Sequence, residues 1–146
     1  MRHSRLLLAP SRLLAQKGFS IIEIIVVLAV IGLIGSIIFL QIESARTKAR
    51  DAEREQEIRV VKDALAIYVV NAKLYPVYTG LLTGADMVSG ALIASDAIRA
   101  IPLDPLNVGN YRYSYSSTDG IVYTLTYYLE TDTIPGKAAG VQQTGP

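Results

Sequence analysis

The stretch KGFSIIEIIVVLAVIGLIGSIIFL, residues 17–40, decides the architecture of this chain. From Phe19 to Leu40 it runs 22 residues with one charge, Glu23. About 20 apolar residues suffice for a helix to cross a bilayer. A carboxylate inside such a run costs roughly 2.5–3.5 kcal/mol on insertion, so its presence points to function rather than anchoring. Immediately upstream lies Lys17-Gly18, preceded by Arg2, Arg5 and Arg12 with no acid.

Downstream the helix has no reason to stop. No proline occurs between Pro10 and Pro76, and residues 41–73 are rich in Ala, Glu, Arg and Lys, which are good helix formers. Glu55 and Arg59 stand in the favourable i,i+4 order. From Ile58 an apolar seam appears, Ile58, Val61, Leu65, Tyr68 and Ala72, whose 3,4,3,4 spacing marks one helical face in need of a partner. The mixed charges of residues 43–63 are expected on a solvated helix face, with a helix–helix recognition surface as the sharper alternative. A helix from about Ser20 to Ala72 follows, ended by Tyr75-Pro76 because the residue before proline is pushed out of the helical region.

Beyond it, residues 77–110 read as a Gly-punctuated connection with a short helix around Ser95–Ala100, where Ser95 would cap and Asp96 suit the first turn. The two prolines of Ile101-Pro102-Leu103-Asp104-Pro105 preclude regular structure there. The period then becomes two. Tyr111, Tyr113 and Tyr115 form one stripe; Ile121, Tyr123, Leu125, Tyr127 and Leu129 form another. Asp119-Gly120 signals the turn of a β-hairpin with a longer loop, whose apolar face can cover the helical seam. The tail from Asp132 offers one weak edge strand near Val141 or stays loose. The fold class is therefore α+β: a long N-terminal helix, transmembrane in its first half, packed on a small antiparallel sheet. The divisions expected are 1–18, 19–40, 41–73 and 74–146.

Composition narrows the function. Residues 19–146 hold ten Lys/Arg against thirteen Asp/Glu, a mildly acidic balance that argues against nucleic acid as a partner. There is no Cys, so an exported head must hold together by packing alone. The only His is His3, so His- or Cys-dependent catalytic and metal constellations are lacking downstream, and no enzyme activity is expected. Asp119, Glu130 and Asp132 are oxygen ligands of the type calcium takes, but their spacing fits no calcium loop. They are expected to be solvated turn acids, with calcium the minor alternative and no other cofactor. The tyrosine stripes are expected to pack the hairpin rather than stack sugars or bases. An ordinary secretory signal would have a shorter apolar region and a small-x-small site. A plain anchor would leave Glu23 incidental. Charge counting leaves the orientation open, with four Lys/Arg before the span and five in the twenty residues after it.

Read together, Lys17-Gly18-Phe19-Ser20-Ile21-Ile22-Glu23, the apolar run and its amphipathic continuation resemble the prepilin signature of type IV pilins and of type II secretion pseudopilins. The resemblance covers residues 12–75, and more loosely the head. It implies a leader of residues 1–18, cleavage between Gly18 and Phe19 by a prepilin peptidase, and N-methylation of Phe19. It also implies that Glu23 pairs in assembly with the N-terminal amine of a neighbouring subunit. The implied partners are further copies of the chain in a helical homopolymer, an inner-membrane assembly platform, and membrane lipid before assembly. The implied locations are the inner membrane as a single-pass precursor, then an extracellular or periplasmic filament. Absence of Cys, the Tyr75-Pro76 step and the Pro102-x-Asp104-Pro105 segment are similar to G-type pseudopilins. A DNA- or surface-binding filament subunit is a further alternative. The apolar run lacks the proline common in type IV pilins, and Gly32 and Gly35 are its only weak helix formers of that kind.

Overall fold

A computed structural model describes residues 18–146. The leader expected at 1–18 lies outside the described residues except for Gly18. The chain divides into two compact units, the second comprising Leu40–Pro146.

Helix α1 spans Ile21–Ala72, within a residue of the expected start. Its first hydrogen bond runs from Ile24 N–H to the carbonyl of Ser20, at 3.2 Å. In the first unit every described residue is exposed, and this part of α1 is long and apolar enough to cross a membrane. Gly32 and Gly35 sit inside it without interrupting the helix.

The second unit pairs the rest of α1 with a four-stranded antiparallel sheet in the order β1-β2-β3-β4: Tyr78–Leu81, Ser114–Ser117, Thr124–Leu129 and Gly140–Thr144. The expected hairpin is β2–β3, with Tyr115 opposite Leu125. The expected edge strand is β4, which pairs Val141 with Tyr128. Alternation does what a half-buried sheet requires. Tyr123, Leu125, Tyr127 and Leu129 are buried, while Thr124, Thr126 and Tyr128 are half-exposed. Ile121 departs from its stripe and lies exposed in the loop. The inner face meets Ile58, Val61, Ala64 and Leu65 of α1 in one core. Tyr68 packs at the margin of that core, and Ala72 is exposed, so the seam is buried over its first half only.

Lys73 ends α1 in the left-handed region, φ 68°, and donates its N–H to the Val69 carbonyl. The chain then turns through Tyr75-Pro76. Tyr75 N–H binds the carbonyl of Gly120, at the β2–β3 turn, and a Cβ at Gly120 would meet Tyr75 O at 2.9 Å. Glycine is required there both by that approach and by its φ of +72°.

The connection of residues 77–110 holds more structure than the sequence suggested. It contains β1 and helix α2, Met87–Ala94. The short helix expected at Ser95–Ala100 is therefore misplaced. Asp86 is its N-cap: one carboxylate oxygen accepts Ser89 N–H at 3.0 Å, and the other accepts Thr83 N–H at 2.7 Å and the Ser89 hydroxyl. Ser95 is the C-cap, and Asp96 takes φ 55° just beyond it. Ala97 N–H then closes on the Leu92 carbonyl, the wrap that ends many helices. Residues read as a helix start serve as a helix stop.

Candidate functional site

Two sets of residues carry chemistry: the segment at the start of α1, and a buried cluster of charges in the second unit.

Gly18, Phe19 and Ser20 are extended chain before the first turn of α1. Phe19 is 78% exposed. A Cβ added to Gly18 would touch none of the described residues. No neighbour among them therefore demands glycine there. Glu23 lies in the first helical turn, where a carboxylate faces the positive end of the helix dipole. It is exposed and has no salt bridge among the described residues.

The charge cluster departs from the sequence expectation. Asp51 and Arg54 fall within the stretch expected to be a solvated helix face, yet both are fully buried. Arg54 donates Nε–H to Asp104 at 2.7 Å, and Nη1–H to Asp51 at 2.8 Å and to Glu130 at 2.7 Å. Arg50 donates to both oxygens of Glu130, at 2.7 and 2.6 Å. Asp51 in turn accepts the backbone N–H groups of Glu130 and Thr131 and the Thr131 hydroxyl. The Arg54 guanidinium also lies 4.8 Å from the centre of the Tyr111 ring. One helix turn thus fastens the Pro102–Pro105 segment and the end of β3. Among the described residues no buried side-chain polar atom lacks a partner.

Electrostatics follow from this geometry. Burial disfavours the Arg54 cation, but its bonds to Asp104 and Glu130 outweigh that, and its pKa is raised. The arginine hydrogen bonds, Arg50 first, hold Glu130 below the usual carboxylate range. Glu130 is therefore no solvated turn acid: both its oxygens are occupied by guanidinium groups. Asp119 instead accepts Ile121 N–H within its own turn, and Asp132 is exposed. Among the described residues no group of three potential ligands converges as a metal site.

A second polar pair departs from expectation. Glu55 does not bridge to Arg59; it receives Lys137 at 2.7 Å and the Tyr127 hydroxyl. Tyr113 donates its hydroxyl to Glu57, whose pKa is raised chiefly by burial. The tyrosine stripes do pack the hairpin, but the hydroxyls of Tyr113 and Tyr127 are tied to helix acids, and that of Tyr115 donates to the Pro76 carbonyl.

The sequence signal for the cluster was present. Continuing the seam backwards from Ile58 by four and then three residues lands on Arg54 and Asp51. Charged residues at core positions of a helical repeat announce partners elsewhere in the chain.

Residues 13–39 match the family described as the prokaryotic N-terminal methylation motif. The chain thus carries that motif, and its α+β fold of a long apolar helix and a small antiparallel sheet accords with a pilin. Together they support a type IV pilin-like prepilin or pseudopilin. Comparison with curated proteins and with solved structures returns no significant match.

Proposed function

We propose that the chain is the precursor of a structural subunit of a type IV pilus-like filament, and that it works by assembly rather than turnover. The observation that carries this reading is Glu23, the single charge in the exposed apolar stretch of α1 that lies inside the methylation motif. A prepilin peptidase cuts between Gly18 and Phe19, and the new amine of Phe19 is methylated. Gly18 supports this because no contact among the described residues explains its lack of a side chain. The precursor waits in the inner membrane as a single-pass protein, and an assembly platform extracts it. In the filament core Glu23 pairs with the Phe19 amine of a neighbouring copy. Each is costly alone in an apolar medium and tolerable as a pair. No cofactor takes part.

The test is Glu23→Leu. Insertion and cleavage persist, since removing the charge improves the span. Sheared filaments should disappear or fall sharply, with Glu23→Asp intermediate because its reach is shorter. Intact mass should start at Phe19 with one added methyl. Normal filament yield from Glu23→Leu would end the assembly role, and a mass beginning at Met1 would end the processing step.

A second reading is a G-type pseudopilin whose short filament drives protein secretion. The buried Asp104 of the Pro102-x-Asp104-Pro105 segment, held by Arg54, favours it. Secretion that fails without any visible fibre would select it.

A further inference from the structure

A groove of about 500 Å³ opens beside α1, between Glu53, Glu57 and Val60 on the helix and Ile98 and Pro102 on the segment after α2. Its floor is apolar, with Val60 42% exposed and Ile98 partly buried. Its helix side is acidic. Glu57 receives Tyr113, and among the described residues Glu53 and Lys48 make no salt bridge. Arg99 is the one cation on the rim. A surface that complements such a groove presents small side chains to its floor and a further cation to its acidic side.

The chain displays that surface itself. Ala45, Lys48, Ala49 and Ala52 recur at i, i+3, i+4 and i+7, hence on one helical face, and all four are exposed. At 3.6 residues per turn this face lies about a quarter turn from that of Glu53, Glu57 and Val60. A contact between two different patches of identical chains is heterologous and, where its rotation does not close a ring, propagates into a filament.

We propose that the groove is the docking site for α1 of a second copy of this chain. The inference rests on the filament reading, which supplies many copies entering one membrane in the same sense. The second helix lies parallel, displaced by about eight residues, or ~12 Å at 1.5 Å per residue. That offset sets Lys48 of the second copy between Glu53 and Glu57. It also sets Ala49 beside Glu57 and Ala52 beside Val60, where the absence of long side chains lets the helices approach. Charge complementarity then fixes the axial register as well as the partner.

Lack of any native Cys allows a direct test in the full chain in its own cells. Ala49→Cys and Gln56→Cys are combined. Within one helix the two sites stand ~10 Å apart, too far for a disulfide. Oxidised filaments of the double variant should give a ladder of covalent oligomers, and each single variant only monomer. Unlinked filaments of the double variant, or ladders from a single variant, overturn the docking assignment. A charge exchange gives a second measure. Lys48→Glu should lower filament yield about tenfold through like-charge contact, and adding Glu53→Lys should restore most of it. Both sites are exposed, so folding is spared. Unchanged yield, or no recovery, overturns the register. Wild-type cells that form no filament and retain residues 1–18 would instead overturn the filament reading itself, whereas wild-type filaments with no cross-link sink only the groove.

Discussion

Residues 21–39 and residues 51–65 belong to the same helix, yet the first stretch exposes Ile, Val and Leu and the second buries Asp51 and Arg54. Hydrophobicity alone would place them the other way round. Among the described residues the first stretch meets no apolar partner, and an exposed apolar surface of that length is of the kind that meets lipid or another chain. In the second the charges are admitted because each meets its complement from another segment. A buried ion pair is weak evidence of stability, since desolvation offsets much of the attraction, but removing one member is severe. The cluster therefore works as a lock in the geometric sense: it fastens Asp104 and Glu130 to one turn of α1.

The largest effect should come from breaking this lock. Arg54→Ala leaves Asp51, Asp104 and part of Glu130 without their cation, and should cost the head roughly 3–5 kcal/mol. Thermal melting of a head piece starting near Thr47 measures it. A melting point close to wild type would show that water satisfies the carboxylates and that the cluster is not sealed. Next comes the apolar part of the same face. Leu65→Ala should cost roughly 2–5 kcal/mol, because Leu65 is fully buried under the sheet. Calcium or a chelator should leave the wild-type melting point unchanged, since the arginines already neutralise Glu130; a marked rise with calcium would revive a metal site.

How much of this was legible follows from the range of the interactions. Helix α1, its end at Tyr75-Pro76 and the β2–β3 hairpin rest on local periodicity and turn chemistry, and each emerged close to its place. Gly18, Phe19 and Glu23 form a contiguous motif and could be quoted directly. Strand β1 is four residues, Tyr78–Leu81, and exists because Tyr78 and Gly80 pair with Ser117 and Tyr115, nearly forty residues on. No short-range pattern announces it. Helix α2 was displaced because Ser95 and Asp86 compete as caps, and only Asp86 gathers Thr83 and Ser89. The charge cluster joins residues about eighty positions apart. Its helix half was readable from the seam; its partners were not.

Acidity should sharpen the contrast among the acids that α1 meets. Glu130 has a depressed pKa, so its contribution is present above the unfolded value and is lost as pH falls through the folded one. Glu57 has a raised pKa, so it acts oppositely: stability is lost as pH rises from the unfolded value of about 4.5 through the folded one. Glu130→Gln should therefore melt below wild type at neutral pH and converge with it in acid. Glu57→Gln, which can still accept from Tyr113, should match wild type in acid and melt slightly above it at neutral pH. Parallel pH profiles for all three proteins would show that neither carboxylate titrates with folding.

The smallest effect on the head should come from the other stretch of the helix. Ile31 is 60% exposed, and none of the core residues of the head lies in residues 21–39. Ile31→Ala removes as much apolar side chain as a typical core truncation, but it removes none from the core. In the full chain, held in detergent micelles, the head transition should shift by no more than about 0.5 kcal/mol, the usual range for exposed sites. The same truncation at Leu65 should be several-fold larger. Near-UV circular dichroism reports the head selectively, because seven of the nine tyrosines lie beyond residue 75 and none precedes Tyr68. A destabilisation by Ile31→Ala comparable to that of Leu65→Ala would mean that the apolar stretch finds its partner within its own chain. The division of α1 into an outward-facing and an inward-facing part would then fail.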